Sequence, residues 1–247
     1  MQYSCKTLSL TLGTVALSFA AASASADTVK LGYHGLNYDV TRARIDTDPG
    51  AGTDFVRADV GMFNMSVQTP DAGGIFKSGQ TVLAWCVEVT QSVSEGIVYD
   101  IATTGQSWTE SITRLFDKYY DQVKNSITSA AMQLAIWEIV GGDANLKLSD
   151  GNFQAKTSYD SDPKNDTDSY QAYTLAQKWL DELNDGDVAR KWDVVHLTND
   201  GAQDLVTVVQ VSEVPLPGAA LMFLSALGVG GLARRKRAAK PELALAA

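Results

Sequence analysis

The chain has 247 residues, 45% of them hydrophobic, and a formal net charge of −9, which is the composition of a folded globular protein. Residues 27–213 hold 14 of the 20 basic and 28 of the 29 acidic residues, so this region alone carries a formal charge of −14. Such an acidic surface argues against nucleic acid and anionic lipid as partners, because both are bound through basic patches.

Residues 1–26 have the pattern of a secretory signal peptide. Lys6 precedes an apolar run from Leu8 to Ala22, and Ala24-Ser25-Ala26 forms a small-x-small cleavage pattern. A plain membrane anchor is the alternative, but the run is short for a span of about 20 residues. We therefore expect export, with the mature chain beginning at Asp27.

Residues 28–102 predict strands separated by turns. The candidate strands are rich in Val, Tyr, Phe and Ile. The segments between them contain Gly, Pro and Asp, which favour turns. The candidate strands cover residues 28–40, 55–68, 81–89 and 96–102. Two further candidates, 192–198 and 204–211, follow near the end of the domain.

After residue 110 the apolar residues recur at helical spacing, which predicts helices. The first helix covers 111–125, and a second begins after Ser126, whose side chain is expected to cap it, and runs to Gly141. A third covers 169–186. The apolar face of the first helix comprises Ile112, Leu115, Phe116, Tyr119, Tyr120 and Val123.

A polar segment, 141–170, separates the last two helices and predicts a long loop with a small hairpin near 146–153. Strands followed by helices and then by strands indicate an α+β fold. We expect an antiparallel β-sandwich or barrel-like sheet with an inserted helical subdomain, in one domain covering residues 27–213.

The C-terminal segment predicts a transmembrane helix at 214–237. No charged residue lies between Glu213 and Arg234, which leaves about 20 apolar or small residues. The basic cluster that follows favours a stop-transfer signal, with 238–247 as a short cytoplasmic tail, over the alternative of a buried helix or hairpin. That cluster comprises Arg234, Arg235, Lys236 and Arg237.

The same tail resembles the PEP-CTERM sorting signal in its VPLPA variant. The motif residues Val214, Pro215, Leu216 and Pro217, the apolar span and the basic cluster occur in the order of that signal. The resemblance implies a Gram-negative bacterium in which an exosortase-type membrane protease recognises the tail, often alongside exopolysaccharide production. An unprocessed single-pass anchor is the alternative.

Cys86 is the only thiol of the mature chain, because Cys5 lies in the signal peptide. Exported domains usually pair their cysteines, so an unpaired one calls for a reason. Gln133 is a second unusual residue, since it shares a helix face with Ala130, Leu134 and Trp137. A buried amide without hydrogen bonds costs about 1 to 3 kcal/mol.

The segments AWCVEV and MQLAIWEI, which contain Cys86 and Gln133, resemble the paired motifs of bacterial thioester domains. The resemblance implies that the cysteine sulfur attacks the glutamine amide, ammonia leaves, and an internal thioester forms. An amine or hydroxyl of a surface or exopolysaccharide ligand would then open it once, without turnover, so we expect neither an enzyme nor a cofactor. Trp85 and Trp137 are expected to shield the bond from water.

Other hypotheses remain open at this stage. Cys86 and Gln133 could be ordinary core residues of a non-reactive structural protein of the extracellular matrix. A cysteine hydrolase would need His34 or His196 beside Cys86. The acidic segment 160–169 could bind calcium, although it lacks the spacing of an EF-hand loop, and we expect no metal centre.

Overall fold

The computed structural model describes residues 27–49, 55–69, 74–102, 105–141, 143–157 and 167–211. Its main sheet is a closed six-stranded antiparallel barrel with the strand order β1-β4-β5-β9-β8-β6. These strands are β1 Thr28–Leu36, β4 Phe63–Val67, β5 Thr81–Cys86, β6 Ile97–Ala102, β8 Trp192–Thr198 and β9 Leu205–Gln210. The prediction of an antiparallel, barrel-like sheet with helices inserted between its strands is confirmed.

A second sheet has three antiparallel strands in the order β3-β2-β7. They are β2 Thr41–Asp46, β3 Val56–Val60 and β7 Gln154–Thr157. The expected single strand 55–68 is therefore wrong, because Gly61 ends β3 and the chain enters the barrel at Phe63. Gly61 has φ +152°, and a Cβ there would lie 3.1 Å from Ser129 Oγ, so a glycine suits this position.

The described residues between β6 and β8 include three α-helices. They are α1 Thr109–Tyr119, which continues into a 3-10 turn at Tyr120–Gln122, α2 Ser126–Gly141 and α3 Thr167–Asp181. α1 packs on β8, and α2 packs on β5, on the small sheet and on α3. α2 is buried along residues 129–139 because neighbours surround it, which explains why its sequence is apolar on every side.

The expected cap of α2 is wrong by one residue. Ser126 is already helical, and Asn125 Oδ1 accepts a hydrogen bond from Thr128 N at 2.9 Å. Thr128 Oγ1 in turn accepts from Asn125 N at 3.1 Å, so the two residues cap the first turn reciprocally. The expected hairpin near 146–153 is also absent from the described part of the chain, where residues 143–153 form turns and β7 pairs with β2 instead.

Replacing Asn125 with alanine should lower the free energy of unfolding by about 1 kcal/mol, since the substitution removes the acceptor that satisfies a free amide of α2. Urea unfolding of the two proteins measures this. Ser126→Ala is the matched control and should change stability by less than about 0.5 kcal/mol. A larger loss in Ser126→Ala than in Asn125→Ala would contradict the assignment of the cap.

Candidate functional site

Cys86 is the last residue of β5, and its side chain faces the interior of the barrel, the lumen. Residues paired across antiparallel strands share a face, and Cys86 pairs with Leu205, which pairs with Leu197. Side chains at alternate positions of β5, Val82 and Ala84, belong to the same face. The residues of this face are also buried on β1, β4 and β6, although the helices leave those strands largely uncovered. Their burial therefore comes from the barrel itself, which identifies this face as the lumen.

The side chain of Gln133 reaches the backbone of Cys86 from helix α2. Cys86 N donates to Gln133 Oε1 at 2.9 Å, and Gln133 Nε2 donates to Cys86 O at 2.8 Å. Gln133 is 1% exposed and Cys86 is 6% exposed, so both hydrogen bonds are buried. Both polar atoms of the carboxamide are thus hydrogen-bonded, which removes most of the cost of burying it.

The carboxamide replaces a strand at this point. Val87 N donates to Asp204 O on the β9 side, and backbone groups alternate in direction along a strand, so those of Cys86 point to the β4 side. There β4 begins only at Phe63, opposite Ala84, and leaves Cys86 without a strand partner. Gln133 supplies the missing acceptor and donor, because an amide side chain carries the same groups as a peptide bond.

Ser129 docks the same helix one turn before Gln133. Ser129 Oγ accepts from Met62 N at 2.7 Å, just before β4 begins, and Ser129 O accepts from the indole N–H of Trp85 at 3.3 Å. Residues four apart lie on one face of a helix, so Ser129 and Gln133 hold α2 across the ends of β4 and β5. The position of the carboxamide is therefore fixed by the helix as well as by its own hydrogen bonds.

The chemistry of this pair depends on the state of the thiol and the carbonyl. Burial raises the pKa of the Cys86 thiol, so it is protonated at neutral pH. The Cys86 N–H polarises the Gln133 carbonyl through its hydrogen bond, and the sulfur belongs to the residue that provides this N–H. A nucleophile and an oriented, polarised acyl carbon are thus held in the same buried region.

The two tryptophans lie in different surroundings. Trp85 follows the alternation of β5 to the outer face of the barrel, where it packs on Phe116 with ring centroids 5.4 Å apart. Trp137 packs on Phe153 at 6.0 Å, one helical turn beyond Gln133. Both are buried, at 0% and 4% exposure. Their shielding of a bond at Cys86 stays a prediction, since these ring contacts lie away from the lumen.

Both histidines lie on the outer face of the barrel wall. His196 pairs with Val206, which pairs with Trp85, and its ring packs on Trp108 at 5.1 Å. Nε2 of His196 lies 3.3 Å from Asp204 Oδ2, and burial lowers the pKa of the ring against the opposing effect of that carboxylate. His34 is exposed, with Nε2 2.8 Å from Ser66 Oγ. Neither imidazole shares the face of the Cys86 thiol, which argues against a cysteine hydrolase.

Glu138 is a buried carboxylate that the sequence analysis did not single out. It is 1% exposed, and neither of its carboxylate oxygens has a hydrogen-bond partner among the described residues. Its surroundings include the acidic turn residues Asp143 and Asp150, and Lys147 N, which donates to Asn145 Oδ1 at 2.7 Å. The signal was present in the sequence as a single charge within AIWEIV.

Several predicted features lie wholly or largely outside the described residues. These are the signal peptide, the transmembrane helix, the tail and most of the segment 160–169; the tail contains the motif from Val214 to Pro217 and the basic cluster from Arg234 to Arg237. Within the described ranges, no helix has the length and apolar character that crossing a membrane requires. The same ranges contain no group of three or more His, Cys, Asp or Glu side chains placed to hold a metal ion.

Comparison with known proteins finds a likeness in structure and none in sequence. No family model matches the chain, and no curated protein matches it. The fold is similar to that of the N-terminal domain of the Streptococcus pyogenes pilus tip adhesin Cpa, with a TM-score of 0.41 and 12% identity. The similarity covers 73% of this chain and 99% of that domain, and at this distance it assigns no function to the chain.

Proposed function

We propose that this is an exported cell-surface protein in which Cys86 and Gln133 form an internal thioester that attaches the protein covalently to a ligand. The observation that carries the proposal is the pair of buried hydrogen bonds, 2.9 Å and 2.8 Å, between the Gln133 carboxamide and the backbone of Cys86. They hold the acyl donor at the residue that bears the only thiol of the predicted mature chain.

The bond would form in two steps. The Cys86 sulfur attacks Cδ of Gln133, and the negative charge that develops on Oε1 is stabilised by the Cys86 N–H, which already donates to that oxygen. The bond from Cδ to Nε2 then breaks, and the amide nitrogen leaves as ammonia with its two hydrogens and the proton of the thiol. Fixed orientation offsets the poor reactivity of an amide, since it is worth roughly 7 to 11 kcal/mol in well-aligned pairs.

The product would be opened by a nucleophile from outside the chain. An amine or hydroxyl of a surface or exopolysaccharide ligand attacks the thioester carbonyl, the ligand becomes bound to residue 133, and Cys86 leaves as a free thiol. The acyl group is consumed in this step, so the protein acts once per molecule and is not an enzyme. The low exposure of both residues slows hydrolysis of the bond by bulk water.

Export and sorting belong to the same proposal. The signal-peptide pattern of 1–26 and the tail from Val214 to Arg237 support translocation, anchoring by a C-terminal helix, and recognition by an exosortase-type membrane protease. The domain 27–213 would then lie outside the inner membrane. Release to the cell surface or matrix would follow from cleavage of the tail.

Intact mass measurement of the purified protein tests the reaction. We expect the wild-type protein to weigh less than its sequence by one ammonia, and the Cys86→Ala variant to show no deficit. Cys86→Ala is a suitable control because Gln133 bonds to the backbone of residue 86, so the hydrogen bonds survive the substitution. A full-mass wild-type protein whose thiol is alkylated after denaturation would refute the thioester.

A non-reactive structural protein of the extracellular matrix is the second candidate. The observation that favours it is the hydrogen bonding of both polar atoms of the Gln133 carboxamide, which gives this residue a structural role without any chemistry. Methylamine separates the two candidates. A thioester protein gains one methylamine at residue 133 on treatment, whereas a non-reactive protein is unchanged.

A further inference from the structure

We propose that Tyr99, which lies on the lumen face of the barrel wall opposite the one that bears Cys86, relays the proton from the thiol to the departing ammonia during formation of the thioester; this inference rests on the proposed function. The reaction requires such a relay, because the thiol must lose a proton and the amide nitrogen must gain one. Both histidines lie on the other face of the barrel wall, so neither is placed for this transfer.

The topology of the barrel places Tyr99 across the lumen from Cys86. Tyr99 lies on β6, three strands from β5 in either direction around the six-stranded ring, so the two residues occupy opposite walls. The row of paired residues from Cys86 runs through Leu205 and Leu197 to Ile101, two positions from Tyr99 on the same face. Tyr99 also pairs with Val29, a fully buried lumen residue.

The hydroxyl of Tyr99 lacks the partner that a buried phenol normally has. The residue is 0% exposed, and Oη makes no hydrogen bond to any described residue. An unpaired buried hydroxyl costs about 1 to 3 kcal/mol. A group kept at that cost in the lumen is available to the thiol and to the ammonia that leaves Gln133.

Tyr33 is the other tyrosine influenced by the charge of Cys86, and it serves as the comparison. It shares the lumen face, through its pairing with Met65, but it is half-buried and packs edge-on against Phe63 with ring centroids 5.4 Å apart. A side chain open to solvent can exchange protons with water. The buried hydroxyl is therefore the better relay to a thiol enclosed in the barrel.

Burial, together with the charges of Cys86 and Asp204, raises the pKa of Tyr99 to about 12. The hydroxyl therefore stays protonated and acts as donor and acceptor together rather than as an anionic base. It gives its proton to the amide nitrogen as the Cδ–Nε2 bond breaks and takes the proton of the Cys86 thiol as the S–C bond forms. The phenol is unchanged at the end, and the proton lost by sulfur leaves in ammonia.

The test measures the rate of thioester formation in three purified proteins: wild type, Tyr99→Phe and Tyr33→Phe. Ammonium chloride first returns each protein to the thiol and amide, and after desalting the loss of one ammonia is followed by intact mass. We expect Tyr99→Phe to form the bond at least about 100-fold more slowly, while Tyr33→Phe stays within a few-fold of wild type. Unchanged thermal unfolding of Tyr99→Phe shows that the fold is retained.

The pH profile of the wild-type protein gives a second readout that does not depend on a variant. A neutral relay predicts a rate that is nearly constant between about pH 6 and pH 9, whereas reaction through free thiolate rises about tenfold per pH unit. Equal rates in wild type and Tyr99→Phe, or a wild-type rate that rises with pH, would overturn the relay alone. Failure of the wild type to lose ammonia at all would remove the proposed function and the relay with it.

Discussion

Replacing Gln133 with alanine in a Cys86→Ala background is expected to lower the free energy of unfolding by about 3 to 5 kcal/mol, measured by urea unfolding. The substitution leaves the N–H and C=O of residue 86 unpaired in a buried position, and each such group costs about 1 to 3 kcal/mol. The Cys86→Ala background excludes any contribution from a covalent bond, since the residue at 86 no longer bears sulfur.

Gln177 provides a matched control for this experiment. Its carboxamide makes the same pair of backbone bonds in a more exposed place, accepting from Leu148 N at 2.9 Å and donating to Leu146 O at 3.0 Å, and Nε2 also donates to Asp181 Oδ1 at 2.9 Å. Water can replace these contacts, so Gln177→Ala in the same background should cost only about 1 kcal/mol. Equal losses of stability in Gln133→Ala and Gln177→Ala would show that burial of the Cys86 backbone is not the cause of the loss at Gln133.

Replacing Glu138 with glutamine is expected to raise the stability at pH 8 by up to about 3 kcal/mol and to change it little at pH 4. Burial, together with the charges of Asp143 and Asp150, raises the pKa of Glu138 from 4.5 to about 7 against the opposing effect of the Lys147 backbone. Because Lys147 N already donates to Asn145, the carboxylate has no full partner when it ionises.

The sign of this effect follows from the two protonation states. The unfolded chain loses the Glu138 proton near pH 4.5, whereas the folded chain holds it to about pH 7. Between those values the unfolded state binds fewer protons, so stability falls as the pH rises and levels off above pH 7, by about 1.4 kcal/mol per pH unit in between.

Urea unfolding of wild type and Glu138→Gln across pH 4 to pH 8 measures the difference between them. Glu110→Gln, at an exposed glutamate in the first turn of α1, is the control and should keep the wild-type pH dependence. A Glu138→Gln protein that loses stability with pH as steeply as wild type would contradict the assignment.

The barrel could be predicted from sequence because its strands either alternate apolar and polar residues or are continuously apolar, and clear turn sequences separate them. β2 was missed because its sequence, TRARID, carries charges at alternate positions, and its buried face consists largely of small or polar residues. β7 was missed for a related reason, since QAKT lies in a polar segment and becomes a strand only by pairing with β2. Pairing of this kind depends on distant residues that local pattern does not contain.

Only the identities of the residues in the candidate site could be predicted from the sequence. The motifs around Cys86 and Gln133 placed a thiol on a strand and an amide on a helix, and the structure brings these residues into contact. The mode of contact could not be foreseen, because it depends on β4 beginning opposite Ala84 and leaving the Cys86 backbone open. The lumen position of Tyr99 was equally hidden, since only the closed order of six strands places β6 across from β5.

The order of strands in the barrel also sets when this site can be completed during folding. β5 ends at Cys86, but its neighbour β9 begins only at Leu205, after all three helices have been made. Pairing between such distant segments makes folding slow compared with that of local structure. The chain would therefore remain open during synthesis, and any reaction at Cys86 would wait until β9 has paired with β5.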